Sequence, residues 1–450
     1  MRLRRLLVAN RGEIALRIIA TCERLGIESV LGASDADLDS PAARRADRVV
    51  RLGSALPQAS YLSVEAVVRA GLASGATGVH PGYGFLAENP ALADACSGAG
   101  LVFVGPSPEH LRAFGDKLAA RRIAVAAGLP VLPGGEVTSA AEAEGLLERT
   151  GVPVLVKAVG GGGGRGMRLV THRRELRHAI ELSTAEARGA FGDPRVYLER
   201  YVARGRHIEV QLLGDGERVL HAGERDCSVQ RRFQKLLEEA PAPDLQPDVR
   251  AAIHEAAVRL GRRIGYHSLG TVEFLLDADS GEFYFLEVNA RIQVEHPVTE
   301  AVTGLDLVGE QLYVAEGRPL ARHQEDVAVS GHAVECRINA EDPDRNFAPG
   351  PGTVLALTLP AGEGVRVDTG VQAGSVVPPY YDSLVAKLVV SGGSRAEALL
   401  RLGGALDRFV VEGVPTTIPL HRRLVTEPAL RAGGVDTGWL ERLAATGSHG

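Results

Sequence analysis

The chain has 450 residues, 45% of them hydrophobic and 24% charged, which supplies ample apolar surface for buried cores and excludes global disorder. Acidic residues number 56 against 50 basic ones, a net charge of −6, which argues against a duplex nucleic-acid binder, since such a protein needs a basic face. The length suits about three domains. No apolar run reaches the roughly 18 residues of a membrane span. The apolar stretch at 6–9 is too short for a secretory leader. The four cysteines, Cys22, Cys96, Cys227 and Cys336, form no C-x-x-C pair, so neither a zinc site nor a disulfide framework is expected. The expectation is a cytoplasmic protein with reduced thiols.

In chain order, strand patterns at 6–9, 30–33, 48–52 and 101–105 alternate with helical patterns at 14–25 and 62–72. That alternation predicts a doubly wound parallel sheet over residues 1–114. A helical linker follows at 115–130. Residues 131–202 read as a smaller unit, with strands at 154–158, 167–170 and 196–201 and a helix at 173–188. Residues 203–330 are hairpin-rich, with helices near 248–264 and 305–315. Residues 331–445 read as strands, a Pro-rich turn at 377–380 and mixed helices. The fold class is α/β and α+β.

A glycine run at 160–164 lies between two strands of the smaller unit. Backbone amides without side chains approach polyphosphate closely, and no Lys-Ser/Thr follows to make a Walker loop. The run therefore reads as a hairpin tip that covers a nucleotide. By contrast, Gly82-Tyr83-Gly84-Phe85-Leu86-Ala87 matches the dinucleotide pattern G-x-G-x-x-G/A, but it is not at the first strand–helix junction, which argues against a nicotinamide cofactor.

Of the 50 basic residues only four are lysine: Lys117, Lys157, Lys235 and Lys387. In a chain so biased to arginine, a retained lysine marks a place for a compact ammonium. The segment 270–295 is the most informative. Strand patterns at 271–276 and 282–288 flank Asp279-Ser280-Gly281, and a turn symmetric about Ser280 sets Glu273 opposite Glu287. Like charges so opposed destabilise a strand pair, and a divalent cation would reverse that effect. Beyond Glu287, strict alternation places Asn289, Arg291, Gln293 and Glu295 on one side if the stretch is extended.

Asn10-Arg11-Gly12-Glu13, His80-Pro81-Gly82-Tyr83-Gly84-Phe85, the glycine run, the segment 287–297 and the segment 335–342 together resemble biotin carboxylase, the ATP-grasp component of acetyl-CoA and related acyl-CoA carboxylases. The resemblance extends to about residue 440. It implies an ATP-grasp fold with an N-terminal Rossmann-like domain (1–114), a helical linker (115–130), a mobile lid (131–202), a core (203–330) and a C-terminal domain (331–445). It implies that ATP phosphorylates bicarbonate to carboxyphosphate and that biotin is then carboxylated, the first half-reaction of an acyl-CoA carboxylase, as in fatty acid biosynthesis. By that resemblance Lys117 and Lys157 would hold ATP phosphates under Gly163 and Gly164, Glu199, Arg200, Tyr201 and Val202 would meet adenine, and His207 the ribose. Glu273, Glu287 and Asn289 would bind Mg²⁺ or Mn²⁺. Lys235, Arg291, Gln293 and Val294 would bind bicarbonate, Glu295 would be its general base, and Arg337 would stabilise the biotin enolate. Lys387 has no counterpart role and reads as structural.

Two departures stand out. Phe233 replaces a histidine frequent in the family, and the biotin-acceptor motif Ala-Met-Lys-Met is absent. The absent motif implies a separate biotin carboxyl carrier protein and a carboxyltransferase, and the family resemblance implies a homodimer. Two alternatives stay open: another ATP-grasp carboxylate ligase, against which the Arg337 segment counts, and a nucleotide-binding protein with a regulatory, non-catalytic role.

Overall fold

The computed structural model of the chain describes residues 2–160 and 167–447. The N-terminal region is an all-parallel sheet of β1 (Arg5–Val8), β2 (Glu28–Ser34), β3 (Arg48–Gly53), β4 (Gly78–His80) and β5 (Val102–Phe103), in the order β3-β2-β1-β4-β5. The doubly wound expectation holds. β4 was too short to show a period, and the strand expected at 101–105 contracts to two residues. The helix Gly12–Leu25 packs Ile14, Ile18, Ile19 and Cys22 into the core. Each buried aliphatic side chain of this kind contributes roughly 1.5–3 kcal/mol. Gly26 ends the helix at φ 67°, returning its N–H to Cys22 and Glu23; a left-handed residue suits glycine.

The G-x-G match forms a turn, not a dinucleotide junction. Asn10 Nδ2 donates to the carbonyls of Pro81 and Tyr83, both at 2.7 Å. A Cβ on Gly82 would lie 2.8 Å from that nitrogen, so the glycine serves the clamp.

The smaller unit is an antiparallel sheet of β6 (Gly134–Val137), β7 (Val154–Ala158), β8 (Arg168–Val170) and β9 (Val196–Arg200), in the order β6-β9-β7-β8. Its core joins Leu146 and Leu147 of the helix Ala140–Thr150 to Val154, Val156 and Val170. Val154 pairs with Val170, so the glycine run joins paired strands as expected. Its residues 161–166, Gly163 and Gly164 among them, lie outside the described residues. The helix expected at 173–188 spans Leu176–Phe191 after a short 3-10 turn.

The central sheet has eight antiparallel strands: β10 (Gly205–Asp215), β11 (Val219–Arg231), β12 (Gln234–Ala240), β13 (His267–Asp277), β14 (Phe283–Asn289), β15 (His332–Asn339), β16 (Val365–Thr369) and β17 (Leu384–Gly392). Their order is β14-β13-β10-β11-β12-β15-β17-β16. β12 pairs with β15, so one continuous sheet crosses residue 330. All four cysteines are buried and free. Among the described residues no helix is long and apolar enough to cross a membrane.

The helix Pro247–Arg263 is tied to this sheet by Glu224, which accepts from His254 Nε2 at 2.6 Å, Arg250 Nε at 2.8 Å and the Ala242 N–H at 3.1 Å. Burial pushes the Glu224 carboxyl up, but His254 and Arg250 outweigh it and hold it at about 2, below the ordinary 4.5. A carboxylate lowered in the folded state stabilises above its unfolded value, and that stability is lost as pH falls towards the folded value. Glu224→Gln should therefore cost about 3 kcal/mol at neutral pH. Denaturant unfolding should show the gap to the parent chain closing between about pH 5 and pH 2; a gap that stays constant with pH would contradict this.

Candidate active site

The N-terminal sheet, the smaller unit and the central sheet enclose a cleft of about 630 Å³. Lys117, Lys157 and Lys235 line it, as do Glu199, Arg200, Tyr201, Val202, His207, Glu273, Glu287, Asn289, Arg291, Gln293, Val294, Glu295 and Arg337. Every described candidate residue thus faces one space.

Lys117 opens the helix Lys117–Ala126, whose start is fixed by the Asp116 carboxylate accepting from the Ala119 N–H at 2.8 Å. Its Nζ lies 2.6 Å from Glu287 Oε2. Lys157 on β7 and Glu199 on β9 are diagonal neighbours on one sheet face and form an ion pair. Arg200 turns its guanidinium to Tyr284 Oη at 2.7 Å, and the N–H groups of Arg200 and Tyr201 are taken by Pro133 and Pro153.

Glu273 does pair with Glu287, but through an irregularity: the register slips at Leu286 between the Phe274–Phe285 and Glu273–Glu287 pairs. The two carboxylates are opposed on one face of a hairpin. Each is met by a lysine, Glu287 by Lys117 at 2.6 Å and Glu273 by Lys235 at 3.0 Å. Asn289 donates Nδ2 to Glu273 at 2.9 Å, while its Oδ1 accepts from Arg291 at 2.8 Å. This oxygen-rich set suits a hard divalent cation bound together with substrate phosphates. Among the described residues two other donor groups come close together, His207 with Glu209 and Glu273, and Glu209 with Cys227 and Glu295. Neither fits as well. His207 lies 3.0 Å from Glu273; burial opposes its charge, but Glu273 prevails and raises it to about 9, so it carries a proton. The Cys227 thiol is pushed up by burial. Lys235 contacts acids of both groups. His207 is therefore held by Glu273 and by Gln230 at 3.0 Å, an engagement the ribose expectation did not include.

Lys235, on β12, is the centre of the site. Its Nζ meets Glu209 at 2.6 Å, Glu295 at 2.7 Å, Glu273 at 3.0 Å and the Gln293 amide oxygen at 3.4 Å. Glu209 also accepts from the fully buried Arg225 at 2.6 Å. Arg337 on β15 reaches Glu238 at 2.6 Å and Glu295 Oε2 at 3.0 Å. Burial pushes the Glu295 carboxyl up, yet Lys235 and Arg337 outweigh it and hold it below the ordinary range. It is a buried carboxylate kept ionised between two cations, the state a proton acceptor requires. Glu238, buried beside the same arginine, is pushed up to about 7.

The extended reading of 287–295 needs correction. β14 ends at Asn289, and Glu295 stands at the N-cap of the helix His296–Thr303. Ala290 and Ile292 are buried, so the chain bends to follow the core rather than a flat face. Gln293 and Asn289 still reach one oxygen of Glu273. Arg291 reaches back to Glu88 at 2.9 Å. Glu88, Glu209, Arg225 and Glu238 were not singled out in the sequence. The segment Arg206-His207-Ile208-Glu209-Val210-Gln211 alternates like a strand and carries a signal for Glu209; for Glu88, remote in the chain, none is present.

Family models match in three consecutive stretches: the biotin carboxylase N-terminal domain over residues 2–111, the ATP binding domain of the carbamoyl-phosphate synthase L chain over 116–323, and the biotin carboxylase C-terminal domain over 335–442. Biotin carboxylase 1 of Bacillus subtilis is 46% identical over 449 residues, covering 99% of this chain and 100% of that protein. The chain belongs to the biotin carboxylase family. The biotin carboxylase of Pseudomonas aeruginosa is 47% identical over 451 residues, covering 99% of this chain and 100% of that one. Among solved structures, the biotin carboxylase–beta-gamma-ATP complex of Campylobacter jejuni superposes with TM-score 0.95 at 41% identity, covering 98% of this chain and 99% of that one. The biotin carboxylase domain dimer of Hydrogenobacter thermophilus 2-oxoglutarate carboxylase, in complex with MgADP, ADP and bicarbonate, gives 0.96 at 42%, covering 99% and 98%. The ATP-grasp biotin carboxylase fold expected from the sequence is therefore the fold of this chain.

Proposed function

We propose that the chain carboxylates biotin at the expense of ATP and bicarbonate. The observation that carries this reading is Glu295, buried and ionised between Lys235 and Arg337 at 2.7 and 3.0 Å, in the cleft that also holds the opposed Glu273–Glu287 pair. Lys235, Arg291, Gln293 and the backbone of Val294 bind bicarbonate, and Glu295 takes its proton. The bicarbonate oxygen then bonds to the γ-phosphorus, the bond to the β-phosphate oxygen breaks, and ADP leaves. Carboxyphosphate divides into CO₂ and phosphate. The released phosphate takes the proton of the biotin ureido nitrogen as that nitrogen bonds to CO₂, with Arg337 stabilising the enolate oxygen by charge-assisted hydrogen bonds. Lys117 and Lys157 hold the ATP phosphates as point charges. Glu199, Arg200, Tyr201 and Val202 border the adenine, and His207 lies beside the ribose. Glu273, Glu287 and Asn289 would hold Mg²⁺ or Mn²⁺, which would neutralise charge on the transferring phosphoryl group. Biotin arrives on a separate carrier protein, a carboxyltransferase completes the reaction, and the enzyme works as a cytoplasmic homodimer. Transfer of labelled carbon from bicarbonate to free biotin tests the reading directly. Label in biotin only when ATP is present supports it; ATP-dependent label on another acceptor would favour a different ligase.

Phe233 gives a second test. It sits at the β11–β12 turn with φ 66°, lines the cleft and is 53% exposed. Histidine tolerates that left-handed backbone better than most residues and adds a donor. Phe233→His should lower the KM for ATP by roughly 2–10-fold, the worth of one hydrogen bond. An unchanged KM would mean that position 233 does not face the nucleotide.

A further inference from the structure

Lys387, read from the sequence as merely structural, is fully buried on β17. It stands directly opposite Arg337 in the antiparallel register. Opposed cations repel, so each needs an offset. Arg337 has Glu238 and Glu295. Lys387 has Glu13 at 3.1 Å and Asp368 at 3.9 Å. Glu13 is itself fixed in the first turn of the helix Gly12–Leu25 and receives the Tyr83 hydroxyl.

Glu335 of β15 is a third acid acting on Lys387, but the remaining hydrogen-bond partner of this lysine is not an acid. Its Nζ donates to the backbone carbonyl of Val294 at 2.8 Å. That carbonyl shares one peptide plane with the Glu295 N–H, so a cation on it fixes where the Glu295 side chain begins. The peptide before it is pinned as well, by His296 Nδ1 bonding the Gln293 carbonyl at 2.8 Å. Residues 290–295 belong to no strand and have no ladder to hold them. Side chains do that work instead: Lys387 and His296 bond the Val294 and Gln293 carbonyls, and Glu88 takes the Ala290 N–H.

We infer that Lys387 is a positioning residue for the bicarbonate site: it locks the Val294–Glu295 peptide so that Glu295 stands between Lys235 and Arg337 and Val294 presents its backbone to bicarbonate. The inference rests on the roles proposed above for Glu295 and Val294. Lys387 itself touches no substrate.

The test is steady-state kinetics of Lys387→Met. Because this change strands Glu13 as a buried unpaired carboxylate, the charge-balanced double variant Glu13→Gln/Lys387→Met is measured beside it and serves if the single variant fails to fold. The expected result is a KM for bicarbonate raised about 10–100-fold, the worth of a charge-assisted hydrogen bond, with the KM for ATP essentially unmoved. A purely structural role would lower the melting temperature and the active fraction without moving the bicarbonate KM; that result overturns the inference. Parent chain that releases no ADP in response to bicarbonate overturns the reading of the site, and the inference with it.

Discussion

Glu295→Gln should bind MgATP as the parent chain does and lose about 10²–10⁴-fold of the biotin carboxylation rate, the range a positioned general base supplies. Glutamine keeps the shape, and its one carbonyl oxygen can accept from Lys235 or from Arg337, which approach the two carboxylate oxygens at 2.7 and 3.0 Å, while its NH₂ only donates. It cannot accept a proton. Nucleotide affinity by calorimetry and turnover by labelled bicarbonate separate the two properties. A variant within about twofold of the parent rate would remove Glu295 from the role of base.

Lys235→Met should be as severe in turnover and more severe in stability. Glu209, Glu273 and Glu295 converge on this one ammonium, and their side chains are almost wholly buried. Glu209 would retain Arg225, and Glu295 would retain Arg337. Glu273 would keep only His207 within ion-pair distance among the described residues. Removing one partner from a buried ionic cluster costs about 3–5 kcal/mol, and bicarbonate would lose its cation. Chemical denaturation measures the first effect and bicarbonate-dependent ADP release the second. A loss below about 1 kcal/mol would show that water or rearrangement compensates the carboxylates. Lys235→Arg is no remedy, because a planar guanidinium cannot occupy the point where three acids meet.

How much of this was legible in the sequence depended on how local each relation was. The Glu273–Glu287 pairing needed only a hairpin and a turn, and it survived a register slip at Leu286 that the pattern did not show. The scarcity of lysine pointed to all four lysines; Lys117, Lys157 and Lys235 line the cleft, and Lys387 is buried on β17. The family resemblance supplied roles that periodicity could not. Failures came where distant strands meet. Glu238 joins Arg337 only because β12 pairs with β15. Glu88 meets Arg291 across some 200 residues of chain. The strict alternation after Glu287 suggested a strand, yet buried Ala290 and Ile292 turn the segment into the core. A period of two describes a face only while the chain stays extended. Lys387 was named in the sequence but read only as structural. Its meaning lies in a bond to a backbone carbonyl, and side-chain type gives no hint of that.

The most direct test of biotin carboxylation at this cleft is ADP release by the purified chain with MgATP, measured with bicarbonate and free biotin each present or withheld. Rapid release is expected only when both are supplied, since the proposed function assigns Glu295, Lys235 and Arg291 to bicarbonate and Arg337 to biotin. ATP cleavage indifferent to both, or bound ATP that is never cleaved, would contradict it.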